Sequence, residues 1–223
     1  MSGEQVSHGL RLDPIAEGSA EAVVVLLQDA GGSAAALMPV ATRWAPTVPA
    51  AAFVALDVPT PDVPTPDVTT LDAAALDRAA RRLAPQLEQQ LHVYRLEASQ
   101  LVLVGFGQGG TIALRLLLHG AWRCAGALAF SARLLRPLPR LIGLDGKVRL
   151  IESARNSDMS HVNLRDTVMS LVSRGVDARG VVLAGDMLAD EAIRHGGAYL
   201  VELVATAQRG DQFHLQQENH DAQ

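Results

Sequence analysis

Leu101-Val102-Leu103-Val104-Gly105-Phe106-Gly107-Gln108-Gly109-Gly110 is the stretch on which the fold turns. Leu101–Val104 is a short apolar run of the kind a buried parallel strand presents. Four glycines then punctuate six residues, giving the chain a turn too tight for ordinary side chains. Thr111–Leu118 follows at once with the composition of a helix. A strand that passes through a sharp turn into a helix is the repeating unit of an α/β protein. The glycine order is G-x-G-x-G-G, not the G-x-G-x-x-G of a dinucleotide loop. No acidic residue follows at a strand end about 20 positions on, so the stretch does not read as a nucleotide site.

The same alternation extends in both directions. Ala22–Leu27 is a second apolar strand, closed by the turn-like Gln28-Asp29-Ala30-Gly31-Gly32. Helical spacing covers Ala34–Trp44, and Ala50–Leu56 reads as a strand. Residues 58–67 repeat Val-Pro-Thr-Pro-Asp twice within a Pro-rich loop, 57–70. Proline cannot donate to a sheet ladder, so this loop is a stiff surface connection, a pocket wall or a partner contact, not a central strand. From Leu71 to Val93, apolar residues at 71, 75, 76, 79, 83, 87 and 91 mark a helix. Asp72 and Asp77 suit its positive end. Pro85 within it predicts a kink or two separate helices. Gly126–Phe130, Val148–Ile151 and Val181–Leu183 read as strands, and Leu164–Val172 and Asp190–Ala207 as helices. The expected organisation is an N-terminal segment (1–20), one α/β domain (21–207) and a polar tail (208–223) that frays or serves oligomer contacts. Its mostly parallel sheet should be flanked by helices on both faces.

Composition narrows the class of function. A chain of 223 residues, 48% apolar but only 4% aromatic, can build one sizeable core from Ala, Val and Leu. A net charge of −5 gives no basic face for nucleic acid. The single cysteine, Cys124, permits no intramolecular disulfide and suits a reducing, cytoplasmic setting. The N-terminus lacks the pattern of a signal peptide, and no apolar run reaches the ~18 residues of a membrane span. No HExxH or CxxC spacing suggests a metal, and no cofactor is expected.

Gly105-Phe106-Gly107-Gln108-Gly109-Gly110, with the Leu-rich helix behind it, resembles the G-F-S-Q-G-G elbow of the phospholipase/carboxylesterase family of α/β hydrolases. Cys124–Ser131 is similar to that family's next strand, and the likeness runs over roughly 20–205. The resemblance implies a three-layer α/β-hydrolase fold, cleavage of acyl esters or thioesters, and a small acyl- or ester-like ligand. Relatives are often dimers, so a homodimer is among the assemblies it implies.

At the positions that carry the family's chemistry, this sequence departs. Its elbow has Gly107 in place of the nucleophilic serine, flanked by Phe106 and Gln108. The early His-Gly-x-Gly loop reads Gln28-Asp29-Ala30-Gly31. The two backbone donors of an oxyanion hole, Ala30 N–H and Gln108 N–H, need no particular side chain and are expected to persist. Asp29 would set a carboxylate where negative charge develops, opposing catalysis. The family's acid falls on Asn156, with Asp158 as a substitute under a shifted alignment, and its base falls on Asp186. Asn156 has no charge to steady an imidazolium, and a carboxylate at Asp186 does not shuttle protons near neutral pH at its ordinary pKa. Asn156 and Asp186 are expected to satisfy each other's polar groups.

Two readings remain. One is a pseudo-hydrolase that binds a small ligand or a partner without turnover. The other is an active carboxylesterase or thioesterase that uses a non-standard group, such as water activated by Asp186 or Asp158. Cys124 reads as inert core, and Asp158 with His161 as a solvated pair at helical spacing. His92, His119, His195, His214 and His220 show no ligand spacing.

Overall fold

A computed structural model describes residues 9–58, 73–118, 122–134, 146–154 and 157–221, with the backbone alone at 73, 157–162 and 210–221. The Pro-rich repeat beyond Val58, Asn156 and His119 lie outside the described residues. Asp158, His161, His214 and His220 are placed by backbone only.

Among the described residues, seven strands form one sheet in the order β1-β3-β2-β4-β5-β6-β7. They are β1 (Leu10–Leu12), β2 (Ala22–Leu27), β3 (Ala51–Leu56), β4 (Leu101–Phe106), β5 (Gly126–Phe130), β6 (Lys147–Ser153) and β7 (Ala178–Leu183). Only β1 is antiparallel, pairing Leu10 with Ala55 at one edge. Helices α1 (Ala34–Trp44) and α5 (Asp190–Asp221) cover one face. On the other lie α2 (Ala73–Tyr94), α3 (Gln108–Leu118) and α4 (Ser157–Val172).

The continuous apolar runs follow from this double cover. In β2, Val23, Val25 and Leu27 enter the core under α2 and α3, while Ala22, Val24 and Leu26 enter the core under α1 and α5. Every side chain of β2, β3 and β4 is buried. A strand with no solvent face loses its alternation of apolar and polar residues.

Three features differ from the sequence expectation. Helix α2 runs unbroken through Pro85, so this stretch is one helix and not two. Pro85 and Arg81 both sit on its exposed side, opposite buried Leu83, Leu87 and Leu91, so the carbonyl that loses its N–H partner opens to water. Strand β1 extends the sheet into the first 20 residues. The backbone of α5 stays helical as far as Asp221.

Buried charge at the amino end of β6 ties the sheet to α5. Arg149 is wholly buried, and its Nε donates to Glu202 Oε2 at 2.9 Å. Its Nη1 donates to the Val148 and Asp177 carbonyls, each at 2.9 Å, and to Asp177 Oδ1 at 3.1 Å. Burial works against the guanidinium charge, but the hydrogen bonds to Glu202 and Asp177 outweigh it and raise the Arg149 pKa. Arg149 in turn lowers the Glu202 carboxyl to about 2.

The connections place the crevice. From β2 the chain leaves through α1 toward β3, and from its neighbour β4 it leaves through α3 toward β5, over the opposite face. Loops that diverge in this way open a cleft at the carboxyl ends of the two strands.

Candidate functional site

Strand β4 ends at Phe106, and Gly107 makes the turn with φ +52° before α3 begins at Gln108. This is the left-handed region, which glycine enters without steric cost. Gly107 N–H donates to the Phe130 carbonyl at 2.8 Å, and Thr111 N–H donates to the Gly107 carbonyl at 3.1 Å. Neighbouring glycines allow the close fit. A Cβ on Gly105 would run into the Gly109–Gly110 backbone, and one on Gly109 into the Leu27 and Gln28 carbonyls. The Phe106 ring is buried and stacks on Phe130 at 4.5 Å, so Phe106 shapes the elbow from the core and presents no ring to the cleft.

The loop after β2 meets the elbow through Asp29. Its Oδ1 accepts Ala30 N–H at 2.8 Å and Gln108 N–H at 2.8 Å. The two donors expected to form an oxyanion hole are thus aimed at one point, and a carboxylate oxygen of the protein itself is at that point. The same carboxyl group fills the space beside Gly107. An ideal Cβ on Gly107 would overlap Asp29 Cγ and both of its carboxylate oxygens. A side chain at 107 and the present Asp29 rotamer exclude each other. Gln28, next to it, is buried, and its Oε1 has no hydrogen-bond partner among the described residues.

The other loops at this edge behave differently. Asp186 follows β7 in a turn opened by Gly185, φ +91°, and is exposed. Its Oδ1 accepts Met187 N–H at 2.7 Å, and its carbonyl accepts Ala189 N–H at 3.0 Å, a β-turn leading into α5. Three strand spacings separate β4 from β7, about 14 Å at ~4.8 Å each. With Asn156 outside the described residues, its pairing with Asp186 is a proposal only.

Sequence reasoning passed over Glu152 at the carboxyl end of β6. Burial raises its pKa above the usual 4.5, while the Ser153 backbone, Arg133 and the Ser131 hydroxyl bonded to it pull the other way. Ser131 holds φ +47°, uncommon for a residue with a side chain, as its N–H reaches the Ile151 carbonyl at 2.8 Å. The available signal was a lone Glu ending an apolar strand, which alone does not predict burial. Cys124 is buried, and burial pushes its thiol up to about 12, so it is not a reactive thiolate. No group of three or more His, Cys, Asp or Glu that could hold a metal occurs among the described residues. No helix among them is long and apolar enough to cross a membrane.

Comparison with known proteins bears on the elbow directly. Residues 62–139, which include α2, β4, the elbow, α3 and β5, match the phospholipase/carboxylesterase family model. That stretch, about a third of the chain, is similar to the family. No curated protein matches it. Among solved structures, esterase PE8 is similar at 24% identity and TM-score 0.72, over 87% of this chain and 98% of that one. The Bacillus cereus carboxylesterase is similar at 16% identity and TM-score 0.70, over 87% and 93%. A carboxylesterase from Mesorhizobium loti is similar at 18% identity and TM-score 0.68, over 81% and 88%. At these identities the likeness establishes an α/β-hydrolase fold.

Proposed function

We propose that this esterase-like α/β-hydrolase homologue is a non-catalytic pseudo-hydrolase, which uses the cleft at the carboxyl ends of β2 and β4 to bind a small ligand or a partner. The observation that carries the reading is the carboxylate of Asp29 on both Ala30 N–H and Gln108 N–H, beside a residue 107 that has no hydroxyl. Acyl transfer at such an elbow needs an attacking oxygen and two free donors for the oxyanion that forms. Here the attacking atom is missing, and an anion already holds the donors. Asp186 spends a carboxylate oxygen on its own turn, which leaves it poorly placed to activate water.

The reading is tested by turnover of short-chain nitrophenyl esters and by labelling with a serine-directed phosphonate, both expected to be silent. Turnover that disappears in Asp186→Ala would instead establish an active hydrolase. A constructive test restores the family pattern. Because a side chain at 107 collides with Asp29, Gly107→Ser, Asn156→Asp and Asp186→His are expected to regain esterase activity only when Asp29→Gly is added.

A further inference from the structure

Resting on that reading, we propose that Asp29 inverts the polarity of the elbow site, from one that would hold an oxyanion to one that holds a cationic N–H donor such as a small primary ammonium group. The inference starts from which polar atoms are already used. Both backbone donors end on Asp29 Oδ1, each at 2.8 Å. An incoming carbonyl or carboxylate oxygen therefore finds its donors taken and a like charge beside them. The acceptors are in the opposite condition. Asp29 Oδ2 has no partner among the described residues, and no basic side chain among them pairs with this carboxylate.

Position strengthens the case. Oδ2 is one of the atoms that an ideal Cβ on Gly107 would overlap, so it occupies the place from which the family's nucleophile side chain springs. Asp29 is only half-buried, which leaves this oxygen within reach of a ligand. The neighbouring Gln28 Oε1 also has no partner among the described residues but is closed to solvent, so Asp29 Oδ2 is the acceptor that a ligand can meet. A half-buried carboxylate oxygen without a partner gains a charge-assisted hydrogen bond from a ligand that brings N–H groups. An ammonium with three donors matches this inventory, and an acyl oxygen does not.

The test is a crossover read by the amide signals of Ala30 and Gln108 in nitrogen–proton correlation spectra of the full chain. The native protein is titrated with butylammonium and, separately, with butyrate. Butylammonium is expected to shift these signals with a half-saturation at least about tenfold below that of butyrate, one decade being 1.4 kcal/mol. In Asp29→Ala the donors are released and the anion is gone, so the order reverses and butyrate becomes the better ligand. Should Asp29→Ala fail to fold, the near-isosteric Asp29→Asn carries the test, and its response to butylammonium is expected to weaken by about tenfold or more. An unchanged preference in Asp29→Ala, or in Asp29→Asn a butylammonium response weakened by less than about tenfold, would overturn the proposal. So would a native protein whose Ala30 and Gln108 signals ignore butylammonium. Ester turnover by the native protein would refute the non-catalytic reading by itself; silent esters with no crossover would refute the polarity inference alone.

Discussion

At the amino end of β6, the buried guanidinium of Arg149 is met by two carboxylates and two carbonyls, whereas at the carboxyl ends of β2 and β4 the Asp29 carboxylate is met, among the described residues, by two neutral N–H groups. The first arrangement is complete: the charge has opposite charges in hydrogen-bond contact, and α5 supplies one of them. The second is left open, with one carboxylate oxygen and the neighbouring Gln28 Oε1 unsatisfied. Arg149 lies within a strand, and Asp29 on the loop that leaves one. A complete set serves stability, because removing any member strands the others. An incomplete set at a sheet's carboxyl edge is where a ligand finds work to do.

The largest loss is expected at Arg149. Arg149→Ala removes a fully buried side chain and strands Glu202 and Asp177, with an expected loss of about 3 kcal/mol in urea unfolding. A loss below about 1 kcal/mol would show that the cluster is not what joins α5 to the sheet. Next comes the elbow. Gly107→Ser alone forces the Asp29 carboxylate out of its place and is expected to cost about 1–3 kcal/mol. Asp29→Gly in the same chain should recover much of that, giving a coupling of about 1 kcal/mol or more in a double-mutant cycle. Additive losses would deny the shared volume.

Acid sharpens the comparison further. The folded pKa of Glu202 is lowered to about 2 from 4.5, so its contribution is present above about 4.5 and drains away as pH falls toward 2. Thermal unfolding followed from pH 5 downward should show that slope, flattened in Glu202→Gln. Glu152 runs in the opposite sense. With its folded pKa raised, its stabilising contribution is full below 4.5 and is lost as pH climbs through the raised value. Glu152→Gln, which mimics the protonated form, should therefore melt slightly higher than the native chain at neutral pH, the smallest effect of the four.

Much of this fold was legible in the residues because its causes are local. Ala22–Leu27 and Gly126–Phe130 are strands to the residue, since runs of Val, Leu and Ala buried on both faces have no competing pattern. Strand β1 left no trace of that kind: Leu-Arg-Leu is too short to show a period, and its place depends on β3 offering an edge. Pro85 did not split α2 for a related reason, since its cost depends on which side of the helix meets water. In the site, the elbow and its two donors were readable from glycine spacing and a family pattern. That Asp29 takes both donors was not. It depends on space vacated at Gly107, and Asp29 meets Gln108 across 79 positions of chain. Glu152 was missed because burial of a lone carboxylate is decided by the loops that close over it.

The glycines beside position 107 have a consequence of their own. Gly105 is held small by the start of α3, and Gly109 by the last carbonyls of β2. Neither constraint involves a reacting atom, so neither relaxes when the nucleophile disappears. A glycine signature of this type records the seam where a helix is sewn onto a sheet, whatever chemistry the turn carries. Catalogues of enzymes drawn up from that signature count seams.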